Sequence, residues 1–156
     1  MSAEKARDDE DAANKRAFVL DQFAPYRIVR LGHAMSGALA QAYREENLTI
    51  PEWRVLAVAA QADALAARDV VAKTPMDKMT VSRAIASLEA KGFARRAASA
   101  EDRRLQMVSL TQTGRALFNR VATRALAFEK SFLENLNADE RALFIELLAK
   151  IEESVL

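Results

Sequence analysis

PMDKMTVSRAIASLEAKGFARRAASAEDRRLQMVSLTQTG, residues 75–114, sets out in order an amphipathic segment, a glycine stop, a charged turn and two short extended runs. At about 100° per residue, positions 77–91 put Val81, Ala84, Ile85 and Leu88 on one side of a helix. Met79, Ser82, Arg83, Ala86 and Ala90 fall on the other side, with Lys78, Thr80 and Ser87 at the margins. The first set needs a core and the second is left free. Its hydrogen-bonding residues gather at the helix start, and small Ala86 and Ala90 let the helix lie close to a groove floor. That arrangement suits the reading of base edges in duplex DNA. A merely solvated face gives the same wheel, so the surroundings decide.

The surroundings mark both helix ends. Pro75 lacks an N–H and disfavours helix at Thr74, so a preceding helix over 65–73 should stop before a short turn, giving helix, turn and helix. Gly92 after Lys91 occupies the left-handed stop position, with Phe93 placed to pack back on the last turn. Residues 93–98 and 105–111 read as strands, the second alternating incompletely, and 99–104 as the hairpin tip between them. Arg95 and Arg96 at the base, with Asp102, Arg103 and Arg104 at the tip, put guanidinium groups where phosphates or a narrow minor groove would meet them. Charge concentrates here too. Lys78, Arg83, Lys91, Arg95, Arg96, Arg103 and Arg104 face only Glu89, Glu101 and Asp102, an excess of four, in a chain whose net charge is +1. A local basic patch is the footprint of a duplex binder, whose affinity comes largely from neutralising phosphates.

The segments Leu48-Thr49-Ile50-Pro51-Glu52-Trp53-Arg54-Val55-Leu56, Met76-Asp77-Lys78-Met79-Thr80-Val81-Ser82-Arg83-Ala84, Asp102-Arg103-Arg104 and Leu110-Thr111-Gln112-Thr113-Gly114-Arg115 closely resemble the MarR family of bacterial regulators, in family order and spacing. The likeness runs through the middle of the chain and extends over the flanking helices. It implies a mainly α fold with a small β-wing: a winged helix-turn-helix domain with N- and C-terminal dimerisation helices. The implied activity is that of a homodimeric regulator, a repressor, on a pseudo-palindromic double-stranded DNA site. By position, Lys78, Thr80, Ser82 and Arg83 become major-groove and phosphate contacts, with Ser87, Arg95 and Arg96 beside them. Arg104 becomes the minor-groove residue, Asp102 its orienting partner and Arg103 a phosphate contact. Two departures stand out: no serine-type cap opens the helix before Pro75, and the wing turn has Ala98-Ser99-Ala100 where proline or charge is frequent.

With 156 residues the chain is one domain or one subunit of a compact oligomer. Residues 1–16 are charged and almost without large apolar side chains, so a disordered or frayed tail is expected. The divisions expected after it are a dimerisation helix over 17–47, the winged domain over 48–111 and dimerisation helices over 112–156. No apolar run approaches the ~18 residues of a membrane span, and the start is polar, pointing to a cytoplasmic protein with no membrane partner. Zero cysteines and one histidine exclude disulfides, thiol sensing and the commoner zinc cages. No cofactor, and no nucleophile–base pair, phosphate loop or metal spacing of an enzyme, is indicated.

From Phe18 the pattern turns helical, with Ile28, Leu31, Met35, Leu39 and Tyr43 recurring at three- and four-residue steps, which predicts one long helix to Glu46 broken or kinked near Pro25. Its second stripe carries Tyr26, Arg30 and His33, and interior Gly32 and Gly37 each cost ~1 kcal/mol relative to alanine. In the family, small anionic or aromatic effectors bind between the dimerisation helices and the winged domain, so Tyr26, Arg30, His33 and Trp53 are ligand candidates by resemblance. Trp53 also has a plain structural role, because Thr49 and Glu52 form a capping box and Leu48 and Trp53 occupy staple positions. Thr111 should cap a helix to Asn135, and Asn137 with Glu140 a final one. The apolar stripes of these last helices exceed what a small monomer hides, which predicts burial against a second copy. The competing reading is a helical protein-interaction module with a winged shape and no DNA readout.

Overall fold

The structure is a computed structural model that describes residues 18–99, 102 and 104–155. The expected tail over 1–16, and Arg103, lie outside the described residues. The fold is mainly helical with one small antiparallel sheet. Two compact units divide it, Met1–Ala38 and Leu39–Leu156.

In the first unit a 3-10 turn, Leu20–Gln22, leads into helix α1, Ala24–Ala42, which runs on into the second. Pro25 stands in the first turn of α1, where a missing N–H breaks no helical hydrogen bond, so it starts the helix instead of kinking it. The helix also ends earlier than expected. After Ala42 the chain tightens into a 3-10 turn, Arg44–Glu46, and Asn47 takes the left-handed conformation at φ 54°. Arg124 donates to the Ala42 carbonyl at 3.1 Å, closing the end of α1 with a cation where the helix dipole favours one.

The second unit continues with α2 (Ile50–Ala59), β1 (Leu65–Ala66), α3 (Ala67–Ala72), α4 (Lys78–Ala90), β2 (Ala94–Ala98), β3 (Gln106–Leu110), α5 (Gln112–Phe132) and α6 (Ala138–Val155). The sheet order is β1-β3-β2. The helix expected over 65–73 therefore begins two residues late. Leu65 pairs with Val108 and Ala66 with Met107, both buried, and Ala66 stands at the N-cap with no side-chain hydrogen bond, as its missing hydroxyl dictates.

The other caps form where the sequence places them. Glu52 N donates to Thr49 Oγ1 at 3.3 Å and Thr49 N to Glu52 Oε2 at 2.7 Å, the reciprocal bonds that start α2. Thr111 Oγ1 accepts from Gly114 N, and Asn137 and Glu140 exchange bonds at the head of α6. One core gathers Tyr43, Val55, Leu56, Val70, Ile85, Leu88, Val108, Leu117 and Val121 from α2, α3, α4, β3, α5 and the turn after α1. Trp53 stacks half-buried on its margin, 5.7 Å from Tyr43 and 6.0 Å from Phe118, ring to ring.

Candidate nucleic-acid interface

Helix α4 presents two faces with opposite fates. Val81, Ala84, Ile85 and Leu88 are buried, while Lys78, Met79, Ser82, Arg83, Ala86 and Ala90 are exposed. Its start is fixed by Asp77, whose Oδ1 accepts from Thr80 N and whose Oδ2 accepts from Thr80 Oγ1, both at 2.8 Å. Those bonds from Thr80 hold the Asp77 carboxyl below the usual carboxylate range. They also commit the Thr80 hydroxyl proton to the cap. At the far end Phe93 N reaches Leu88 O and Gly92 N reaches Glu89 O, with Gly92 at φ 75°, which is the left-handed closure expected of that glycine.

A second set of α4 side chains turns inward. Ser87 Oγ and Lys91 Nζ both donate to Glu52 Oε1, and Lys91 also donates to the Asn47 carbonyl at 2.7 Å. Glu52 is 2% exposed. Burial pushes its carboxyl up, but the bonds from Lys91, Ser87 and Thr49 outweigh burial and hold it below the usual range. One carboxylate thus caps α2 and grips the last two turns of α4. Ser87, expected at the DNA surface, is half-buried with its proton engaged by Glu52.

The wing is built from β2 and β3 in a register that pairs Arg96 with Val108 and Ala98 with Gln106. Arg96 does not stand free: its N donates to Glu89 Oε1 at 2.8 Å and its Nε to Glu89 Oε2 at 2.6 Å. Glu89 belongs to α4, so this pair ties the wing strand to that helix. Arg95 Nε donates to Ser109 Oγ at 3.1 Å. At the tip, Asp102 Oδ1 accepts from Arg104 N at 2.9 Å, and Leu105 N donates to the Asp102 carbonyl. Asp102 therefore grips the backbone of Arg104, and the Arg104 side chain is exposed. Among the described residues, Lys78, Arg83 and Arg104 form no ion pair, whereas Lys91 and Arg96 do. The positive excess read from the sequence is thus thinner on the surface than a count of cations suggests.

The base of the wing is locked at one point that sequence reading missed. Thr111 N donates to Phe93 O, and the Thr111 and Thr113 hydroxyls both donate to Gly92 O. A Cβ on Gly114 would lie 1.9 Å from Phe93 O, so only glycine allows α5 to start against the end of α4. The Thr-x-Thr-Gly spelling was the available signal. Arg115 completes the junction by donating to the Ala60 carbonyl at 3.0 Å, at the end of α2.

The ligand candidates divide between the units. In the first, the Arg30 guanidinium sits 5.9 Å from the Tyr26 ring centre and pairs with Asp21 at 3.2 Å, and His33 is exposed. Arg30 also borders a wide-open hollow of about 440 Å³ along one face of α1. A Cβ at Gly32 or Gly37 would meet no atom within 4 Å. In the second unit, Trp53 is held by the Tyr43 and Phe118 rings.

A helix-turn-helix whose second helix exposes a polar face, followed by a strand-built hairpin, defines a winged helix-turn-helix protein. Residues 46–105 match the model of the MarR family. The HTH-type transcriptional regulator YdgJ of Bacillus subtilis is 33% identical over 94 residues, spanning 60% of this chain and 57% of YdgJ. The chain thus aligns with little more than half of that relative. Among solved structures, a MarR/EmrR family regulator from Acinetobacter is similar at 26% identity and TM-score 0.79, covering 88% of this chain and 98% of its own. Bordetella bronchiseptica BpsR, whose DNA binding is regulated by 6-hydroxynicotinic acid, is similar at 27% identity and TM-score 0.78, covering 86% and 96%. Residues 46–105 thus match the MarR family of transcriptional regulators, and the solved structures extend the likeness of fold over 86–88% of the chain.

Proposed function

We propose that this protein is a cytoplasmic homodimeric regulator, a repressor, that binds a pseudo-palindromic duplex site through α4 and its wing and catalyses no reaction. The observation that carries the reading is the outward face of α4, where Lys78, Ser82 and Arg83 stand exposed beside a buried apolar face. A helix entering the major groove reads bases from its first turns, which is where these residues lie. In this reading Arg83 and Ser82 meet base edges, Lys78 a phosphate and Arg104 the minor groove, with Asp102 holding its backbone, while Thr80, its donors spent on Asp77, sets the start of the helix. Arg95 and Arg103 serve as phosphate contacts, and Arg96 braces the wing.

The terminal segments 17–47 and 112–156 form the dimer in this reading, and 48–111 the DNA-binding domain. A two-fold axis would set the two α4 helices about 34 Å apart, one helical turn of DNA. Regulation of BpsR's DNA binding by 6-hydroxynicotinic acid supports a ligand-responsive protein. In this reading an aromatic or anionic ligand lowers operator affinity, with Tyr26, Arg30 and His33 of the first unit and, separately, Trp53 of the second as its candidate contacts.

Selection of bound sequences from a random duplex pool by the purified protein tests the proposal. Mirrored half-sites are expected, with Arg83→Ala costing about 1–3 kcal/mol in affinity if it makes a bidentate base contact. Lack of any duplex affinity at low salt would instead favour a protein-interaction module, the reading encouraged by the exposed apolar terminal helices.

A further inference from the structure

Between positions 32 and 125, one large hydrophobic side chain among the described residues stands exposed: Met79, at 60%. The other exposed large hydrophobics lie along 18–31 and 126–155. Met79 is the second residue of α4, fixed there by the Asp77 cap, and its neighbours on the outward face are Lys78, Ser82 and Arg83. Thr80, next in the chain, turns its hydroxyl proton back to Asp77. The forward edge of the helix thus offers cations, one hydroxyl and one flexible apolar thioether.

A partner for that edge must be anionic overall and carry an apolar spot at the same depth. Duplex DNA meets both demands in one way: the thymine C5-methyl is the apolar group that base pairs present in the major groove. A methionine, with three rotatable bonds and a polarisable sulfur, can adapt to a methyl on an irregular groove floor. We propose that Met79 is a specificity-determining residue that covers a thymine methyl in each half of the bound site. This inference rests on the DNA-binding reading above.

The test replaces single thymines by deoxyuridine, which removes the methyl and leaves every hydrogen-bonding atom in place, within a duplex selected by the protein. Covering one methyl implies a loss of about fourfold per half-site at one symmetric position, and roughly sixteenfold when both halves are changed. Met79→Ala should bind the thymine duplex more weakly and bind thymine and deoxyuridine duplexes equally, with an unchanged melting temperature because Met79 is exposed. Wild-type indifference to deoxyuridine at every position would overturn the proposal, as would a Met79→Ala variant that keeps the wild-type ratio. If the wild-type protein retains no duplex at all, the DNA-binding reading fails and this inference with it. That result is distinct from retention without methyl dependence.

Discussion

In the winged part of the chain Val55, Leu56, Val70, Ile85, Leu88, Leu117 and Val121 are sealed from solvent, whereas Phe18, Val29, Leu126, Ile145 and Val155 toward the two ends are each more than half exposed. The winged part also holds a buried carboxylate with three donors and a sheet that ties distant β1 to the wing hairpin. Helix α6 buries no residue fully. A single chain can therefore fix the geometry of α4 and its wing by itself, while its end helices carry apolar surface that a second copy would cover.

The sharpest way to break this contrast is to open the winged core. Leu88 is fully buried on α4, so Leu88→Ala should destabilise the chain by about 2–5 kcal/mol in urea unfolding. A loss under 1 kcal/mol would mean that the core does not depend on α4. The matching change at the ends is Ile151→Asp, in an α6 side chain that is 47% exposed. Under the dimer proposal it places an unpaired charge in the interface, weakening self-association by about 3 kcal/mol, roughly a hundredfold. Sedimentation equilibrium reads this as a fall toward the monomer mass, with helical content kept. Unchanged mass would show that these apolar residues serve something other than pairing.

Glu52 tests whether α2 and α4 are coupled as closely as the buried carboxylate implies. Its folded-state pKa lies below the ordinary 4.5, so the unfolded chain binds more protons as pH falls through this range. Its stabilisation is complete above pH 4.5 and is lost as pH drops through the lower folded value. Glu52→Gln should cost about 1–3 kcal/mol at neutral pH, and its deficit against the wild type should shrink as the buffer is acidified below 4.5. A deficit that is constant with pH would assign the loss to shape rather than charge.

How much of this was legible depended on the range of the interaction. The buried and exposed faces of α4, the glycine closure at Gly92 and the caps at Thr49, Thr111 and Asn137 all arise from residues within a turn or so of each other, and local spacing exposes them. Strand β1 was missed because two residues carry no period, and their partner Val108 lies far along the chain. The Glu52–Lys91 pair was missed for the same reason: α2 and α4 must pack before a carboxylate at a helix cap can be seen to serve both. At the candidate surface, local reading found which residues are charged, and only packing revealed which charges are already spoken for.

Arg96 is the residue on which that last distinction turns. Sequence places it among the phosphate contacts, and the structure bonds its guanidinium and its backbone N–H to Glu89. Both side chains are partly exposed, so breaking the pair should cost no more than about 1 kcal/mol of stability. Its effect on duplex binding is more telling. A phosphate contact would contribute about 0.9 to the slope of log affinity against log salt, and Arg96→Gln would remove it. A brace contributes nothing to that slope, since its charge is balanced before DNA arrives. We expect Arg96→Gln and Glu89→Gln to weaken binding equally with the slope unchanged, and the exchanged pair, Glu89→Arg with Arg96→Glu, to recover most of the loss. A lowered slope without recovery would return Arg96 to the DNA surface and leave the wing held to α4 by its backbone and the Gly114 junction alone.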